Sequence, residues 1–265
     1  MDRAPSVISS QHYLSRMLDS ELWRGRDGRS AEVLYWRCMK AKENAAALIH
    51  EILPVGWLQC NCSVVGDAKT REAIVIDPGD EVERILEVIA RHDLKVCAIL
   101  NTHAHIDHVG GLQKMKHATG APVLMHPEDL ELYRRLAIQA RWIGMPTPGL
   151  VEPDGELREG DTVRWGCYQA RVLHTPGHTR GSVCLHLPQS AATQTDEQPD
   201  ILFAGDTLFA GSIGRTDLWG GSIEDIMRSL KGKLLALPDD TRVYPGHGPA
   251  TTIGQERETN PFLRG

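Results

Sequence analysis

The chain has 265 residues, 41% of them hydrophobic and 24% charged, with a formal net charge of −6. These values fit one large globular domain or two small ones with a sizeable core. They disfavour a nucleic-acid binder driven by phosphate contacts, and no apolar run approaches the roughly 18 residues of a membrane-spanning helix.

The N-terminal stretch "MDRAPSVISSQHYLSRMLDS" lacks the apolar segment of a secretory signal. Six scattered cysteines (Cys38, Cys60, Cys62, Cys97, Cys167 and Cys184) read as reduced thiols, so a cytoplasmic location is expected. "QHYLSRMLDSELW" and "SAEVLYWRCMKAKENAAALIHE" carry helical apolar spacing on either side of the polar "RGRDGRS". Residues 1–48 are therefore expected to form a helical N-terminal extension, and 49–265 the main domain.

From residue 49 the pattern changes to short apolar runs ended by Gly, Pro and Asp. "LQCNCSV" places Cys60 and Cys62 on one face of a strand. "AIVIDPG" (73–79) predicts a strand and turn, "EVERILEVIARH" (81–92) a helix, and "VCAILNTH" (96–103) a second strand. "HVGGLQKMKHATG" (108–120) predicts a helix ending at Gly120, "PVLMH" (122–126) a strand, and "EDLELYRRLAI" (128–138) a helix. Strands are expected in "YQARVLHTPGHT" (168–179), "SVCLHLP" (182–188), "DILFAGDTLF" (200–209) and "TRVYPGHG" (241–248). "PQSAATQTDEQPD" (188–200) reads as a polar surface loop. "SIEDIMRSLKGKLLAL" (222–237) predicts a helix opened by Ser222 and Asp225 as a capping box. This mixture predicts an α/β (α+β) domain of packed sheets with helices outside.

Four apolar runs end in metal-capable residues: "AILNTHAHIDH", "ARVLHTPGH", "ILFAGD" and "RVYPGH". Strand ends carry side chains into loops that a rigid sheet holds still, and sites are usually built there. The candidates are His103, His105, Asp107, His108, His178, Asp206 and His247. Five imidazoles and two carboxylates suit zinc, iron or manganese. Seven ligands exceed one tetrahedral shell but serve two ions if a carboxylate bridges them, an arrangement that recurs in hydrolases. His50, His92, His117 and His126 read as ordinary surface or satisfied residues, and so do His174 and His186. No nucleophile elbow and no phosphate loop is present.

The motifs "THAHIDHVGG", "HTPGHTRGS", "LFAGDTLF" and "YPGHG", in that order over about residues 50–250, resemble the metallo-β-lactamase superfamily. Within it they are most similar to the hydroxyacylglutathione hydrolase (glyoxalase II) group, in its short single-domain branch. The resemblance implies an αββα sandwich of two packed mixed sheets, with the site at one edge. It implies two divalent ions, with zinc the first expectation and iron or manganese as alternatives. His103, His105 and His178 would hold one, Asp107, His108 and His247 the other, and Asp206 would bridge them. Asp77 would support the site from behind the ligands, although a plain turn residue is an equal reading. The implied activity is thioester hydrolysis of S-acylglutathione type by a metal-bridging hydroxide that Asp107 orients.

Arg215 sits where relatives contact a glutathione carboxylate, against the alternative of a surface salt bridge. Three departures weaken glutathione as the thiol. The chain ends 18 residues after His247, Pro249 replaces a tyrosine, and "TDLWGG" lacks the aromatic that relatives use there as a second substrate contact. An antibiotic-hydrolysing relative is disfavoured, because Asp206 stands where those enzymes place a cysteine. A persulfide dioxygenase holding one iron through His103, His178 and Asp206 is the rival, and a lactone or ester hydrolase a further one. The expected partner is a small-molecule thioester, with neither nucleic acid nor membrane involved.

Overall fold

The strand "EAIVI" (72–76) shows in miniature how the domain is layered. Its side chains alternate between two faces, as the two-residue repeat of a strand requires. Ala73 and Val75 enter one buried cluster, while Ile74 and Ile76 enter another. A strand buried on both faces must lie in a sheet covered on both sides.

The computed structural model describes residues 47–188 and 198–264. The first sheet has the order β1 (Leu48–Val55), β2 (Cys60–Asp67), β3 (Glu72–Ile76), β4 (Lys95–Leu100), β5 (Val123–Met125) and β6 (Gly155–Glu156). β1 to β3 pair antiparallel, and β3 to β6 run parallel. The second sheet comprises β7 (Thr162–Trp165), β8 (Tyr168–His174), β9 (Val183–Leu187), β10 (Ile201–Gly205), β13 (Arg242–Pro245) and β14 (Thr251–Thr252). Its spatial order is β14-β13-β10-β9-β8-β7, with β10 and β13 parallel. A hairpin of β11 (Leu208–Phe209) and β12 (Ser212–Ile213) lies between β10 and β13 in sequence.

The alternation of the second sheet matches that of the first. Val183, Leu185 and Leu187 of β9, with Ile201 and Phe203 of β10, face the first sheet's Ile74, Ile76 and Leu100. Cys184, Leu202 and Ala204 face outward onto α6 (Ile223–Gly232) through Ile226 and Leu230. The outer face of the first sheet is covered by α1 (Val82–Arg91) and α3 (Leu112–Thr119), which contribute Ile85, Val88, Leu112 and Met115. The layers are thus helix, sheet, sheet, helix, as expected from the sequence.

Local expectations were corrected at several points. The helical pattern read through Glu51 gives way to β1 from Leu48, and the rest of the 1–48 extension lies outside the described residues. So does most of the 188–200 loop, residues 189–197. The helix read over 108–120 is interrupted. α2 (Ile106–Val109) ends at Gly110, and α3 starts after Gly111, whose N–H donates to Pro78 O. A side chain at Gly111 would meet that carbonyl at 2.5 Å, so the turn at 77–79 occupies the space a continuous helix would need. The helix over 128–138 is likewise divided at Arg135 into α4 (Leu130–Arg134) and α5 (Leu136–Ile143). Ser222 caps α6 by accepting from Asp225 N–H. The reciprocal half of the box does not form, because Ser222 N–H donates to Gly177 O and Asp225 grips Arg228. A short helix after β14, α7 (Ile253–Thr259), was not anticipated. Cys60 and Cys62 do share the buried face of β2.

His50, on β1, is wedged edge-on against Phe203 and Tyr244. Burial lowers its pKa to about 4, with Glu51 opposing. The unfolded chain therefore binds a proton near pH 6.5 that the folded chain refuses, and stability falls as pH drops from 6.5 toward 4. His50→Gln removes this term. We expect the stability lost between pH 7 and pH 5, by urea denaturation, to shrink by about 1–2 kcal/mol relative to the parent.

Candidate metal centre

All seven sequence-predicted donors meet at one edge of the sandwich. β4 runs out into the loop holding His103, His105, Asp107 and His108, with α2 carrying the last two. The turn between β8 and β9 supplies His178, the end of β10 Asp206, and the turn after β13 His247. The first sheet therefore gives four donors and the second sheet three. The parallel pairs β3/β4 and β10/β13 bring these strand ends to a common edge.

Hydrogen bonds behind the donors fix which nitrogen each imidazole presents. His108 Nδ1 lies 3.0 Å from the Asp77 carboxylate, His178 Nδ1 2.8 Å from Arg215 O, and His247 Nδ1 3.0 Å from Leu58 O. Each partner only accepts, so each Nδ1 carries the proton. The Thr102 hydroxyl donates to Asp77 at 2.6 Å, so its oxygen accepts from His103 Nδ1 at 3.1 Å. In their neutral form all four rings consequently turn an Nε2 lone pair inward.

Three of these inward nitrogens lie within hydrogen-bonding distance of another imidazole. His108 Nε2 and His247 Nε2 are 3.2 Å apart, and His178 Nε2 is 2.8 Å from His105 Nδ1. His103 Nε2 and Asp206 Oδ1 are buried with no hydrogen-bond partner among the described residues. Asp206 reaches into both halves of the cluster, 3.4 Å from His178 Nε2 and 3.5 Å from His108 Nε2. Asp107 Oδ2 is 3.1 Å from His247 Nε2. Three overlapping groups could each hold a cation: His103, His105 and His178; His103, His108 and Asp206; and Asp107, His108 and His247. Converging acceptors without donors are the signature of a cation-binding cage, and the nitrogen and carboxylate set suits a divalent metal.

The titration behaviour of the cage agrees. Burial and the neighbouring imidazoles, His108 first, hold the His103 pKa well below the ordinary range. Burial and then His178 lower that of His105 to about 3, against Asp107. Burial opposes ionisation of Asp107, but His108 and His247 outweigh it and keep the carboxylate charged. Burial would also discharge His108, yet the carboxylates of Asp206, Asp107 and Asp77 together raise its pKa well above normal. This centre attracts positive charge, whether proton or metal.

Asp77, in the turn after β3, accepts from Thr102 N–H at 2.7 Å as well as from the two side chains above. Its backbone is left-handed, with φ 51°, strain tolerated where surrounding contacts fix the turn. A Cβ at Gly79 would sit 1.6 Å from Asp107 O, so only glycine lets the 77–79 turn press against the histidine loop. Arg215 lies beside the cluster, but Asp217 holds its guanidinium through two bonds of 2.7 Å. The salt-bridge alternative is therefore present in this structure.

Asp129 and Gln139 were missed in the sequence. Buried Asp129 accepts from Ala104 N–H, Thr179 Oγ1 and Gly181 N–H at 2.7–2.9 Å, clasping the His103–His108 loop to the His178 turn. Gln139 accepts from Ile106 N–H and donates to Ala104 O. A signal existed: Asp129, Tyr133, Leu136 and Ala140 are all buried at helical spacing, so an acid stands on an apolar stripe. Among the described histidines outside the cage, His117 is exposed and the others make structural contacts. His126 stacks on His174 with centroids 4.0 Å apart, His92 meets Glu51, and His186 meets Asp200. Among the described residues no helix is long and apolar enough to cross a membrane.

The layered fold and the edge cluster agree with the family comparison. Residues 55–247 match the model of the metallo-β-lactamase superfamily, and the chain belongs to that superfamily of metal-dependent hydrolases. An uncharacterized protein of Aquifex aeolicus is 47% identical over 81% of this chain and 97% of its own length. Hydroxyacylglutathione hydrolase GloC of Haemophilus influenzae is 38% identical over 80% of this chain and 97% of its own. Two solved structures are also similar. BLEG-1, a B3 metallo-β-lactamase, has a TM-score of 0.74 and 36% identity, covering 82% of this chain and 100% of that one. TTHA1623 in a di-iron-bound form has a TM-score of 0.68 and 42% identity, covering 80% and 100%.

Asp129→Ala leaves at least two buried amides without an acceptor, at about 1–3 kcal/mol each. We expect a lower denaturation midpoint together with weaker zinc binding by calorimetric titration. Unchanged zinc affinity would show that the clasp does not position the donors.

Proposed function

We propose that the protein hydrolyses thioesters of the S-acylglutathione type, using two divalent ions that we assign as zinc. The observation that carries this reading is the double set of inward lone pairs sharing Asp206. His103, His105 and His178 would hold one ion, Asp107, His108 and His247 the second, and Asp206 both. The likeness to the Haemophilus influenzae hydrolase supports the substrate class, and the di-iron relative supports a two-metal cage.

When bound, such an ion pair supplies Lewis acidity, lowering the pKa of a coordinated water toward neutrality and polarising a substrate carbonyl. The chain's own residues do the rest. Asp107 stays ionised beside His108 and His247, so its carboxylate can accept a hydrogen bond from the attacking water and aim it. The outward Nδ1–H bonds of His103, His108, His178 and His247 hold the rings in place through the reaction. A thiolate leaves without a protein acid, which fits a cage rich in acceptors and poor in donors. Arg215 would meet a substrate carboxylate only by exchanging its Asp217 partner.

Zinc-loaded protein is expected to turn over S-lactoylglutathione. Asp206→Ala should lower kcat/KM by more than the roughly 10–100-fold that groups behind a ligand are worth. Absence of turnover in protein carrying two ions would remove the glutathione assignment. Metal analysis should give two ions per chain, lost on dialysis against a chelator with a fall in Tm. One iron per chain, with oxygen consumed on a persulfide, would instead identify the dioxygenase chemistry of the same fold.

A further inference from the structure

Two clefts open from the donor cluster. One, of about 470 Å³, passes His247 and is lined by Phe209, Arg215 and Pro249 among others. The other, of about 320 Å³, runs past His105 and Asp107 to Leu58, Ile143, Leu218 and two tryptophans, Trp142 and Trp219. Its volume falls at the small end of ligand sites.

The polar groups on the wall of this second cleft are already engaged. The Gln139 amide bonds Ile106 N–H, Ala104 O and Leu132 O. The Arg215 guanidinium holds Asp217. Beyond the metal-type donors, the cleft therefore offers apolar surface. Trp142 ends α5 and Trp219 sits in the loop before α6, yet their rings pack at 4.7 Å between centroids and 61° between planes. The Arg135 guanidinium lies 5.3 Å over the Trp219 ring. Despite this packing the tryptophans remain 59% and 41% exposed. An aromatic pair held in fixed geometry, left wet at the mouth of a cleft that reaches the reacting centre, gains from covering by apolar matter.

We infer that Trp142 and Trp219 are specificity-determining residues that bind an uncharged apolar substituent of the substrate, aromatic or aliphatic. This rests on the thioesterase reading above and narrows it: preferred substrates carry a hydrophobic group on one side of the scissile bond. The donor cluster fixes the thioester, and the tryptophans select what is attached to it.

The test is a pair of thioester series on zinc-loaded protein. In one the acyl group grows from acetyl to hexanoyl and phenylacetyl on a constant N-acetylcysteamine thiol. In the other the thiol grows on a constant acetyl group. One series should rise roughly two- to fourfold in kcat/KM per added methylene, which also tells which side of the bond enters the cleft. Trp142→Ala and Trp219→Ala, checked for parental metal content, should flatten that rise, costing the largest substrate roughly 10–100-fold. Phe262→Ala, remote from the cleft, should keep the parental slope. A flat parent in both series, or tryptophan variants that keep the slope, overturns the inference. Should no thioester be cleaved, the thioesterase reading fails, and the inference is read from binding alone. Tryptophan fluorescence should then report 4-phenylbutyrate binding tighter than acetate, with the preference lost in the two variants. No such preference in the parent overturns it.

Discussion

Two imidazole nitrogens whose protons both point elsewhere repel when they face each other. At 3.2 Å, His108 and His247 are in that position whenever both rings are neutral, and only a shared proton or a cation relieves it. The fold creates this conflict by design of its outer hydrogen bonds. Asp77, Arg215 O and Leu58 O each draw an Nδ1 proton outward and leave a lone pair looking in. A positive charge at the centre converts the repulsion into coordination. The rest of the molecule can be understood as the means of keeping these rings from turning away.

That task needs two sheets. A single strand end delivers one or two side chains in a fixed direction, whereas this centre collects donors from both halves of the sandwich. The halves are tied beside the site as well as through the core. Val183 N–H donates to Thr102 O, the Asn61 amide donates to Pro245 O and Gly248 O, and Asp129 spans the two donor loops. Each tie carries a buried or half-buried polar group that would be costly to leave unpaired, so each has a structural penalty against loosening. The apolar layer between the sheets sets their spacing, and the polar ties fix the register at the working edge.

The layered architecture was legible because strands such as "AIVI" and "VCLHL" are apolar on both faces, which only a doubly covered sheet permits. The seven donors were legible because each follows an apolar run at a place where chains turn. What stayed hidden was set by tertiary contact. Glu51 lies in a helical pattern, but pairing with Val64 makes it strand. The 108–120 helix breaks because a turn distant in sequence needs the space beside Gly111. Asp129 looks like its exposed neighbours Glu128 and Glu131 until its position on a buried stripe is noticed. The Trp142–Trp219 pairing joins residues 77 positions apart, a distance that local pattern does not bridge. Arg215 showed the opposite ambiguity, since the letters "RTD" carry both a substrate contact and the carboxylate that engages it.

The outward clasps on the imidazoles have one more consequence. Because Asp77, Thr102, Arg215 and Leu58 orient the rings through groups of the chain itself, the cage has its shape before any ion enters it. An ion arriving there reorganises little, and the cage discriminates between candidates by charge and approximate radius more than by induced fit. Divalent ions of similar size would then be ranked by their intrinsic affinity for imidazole and carboxylate, with supply in the cell weighing against that order.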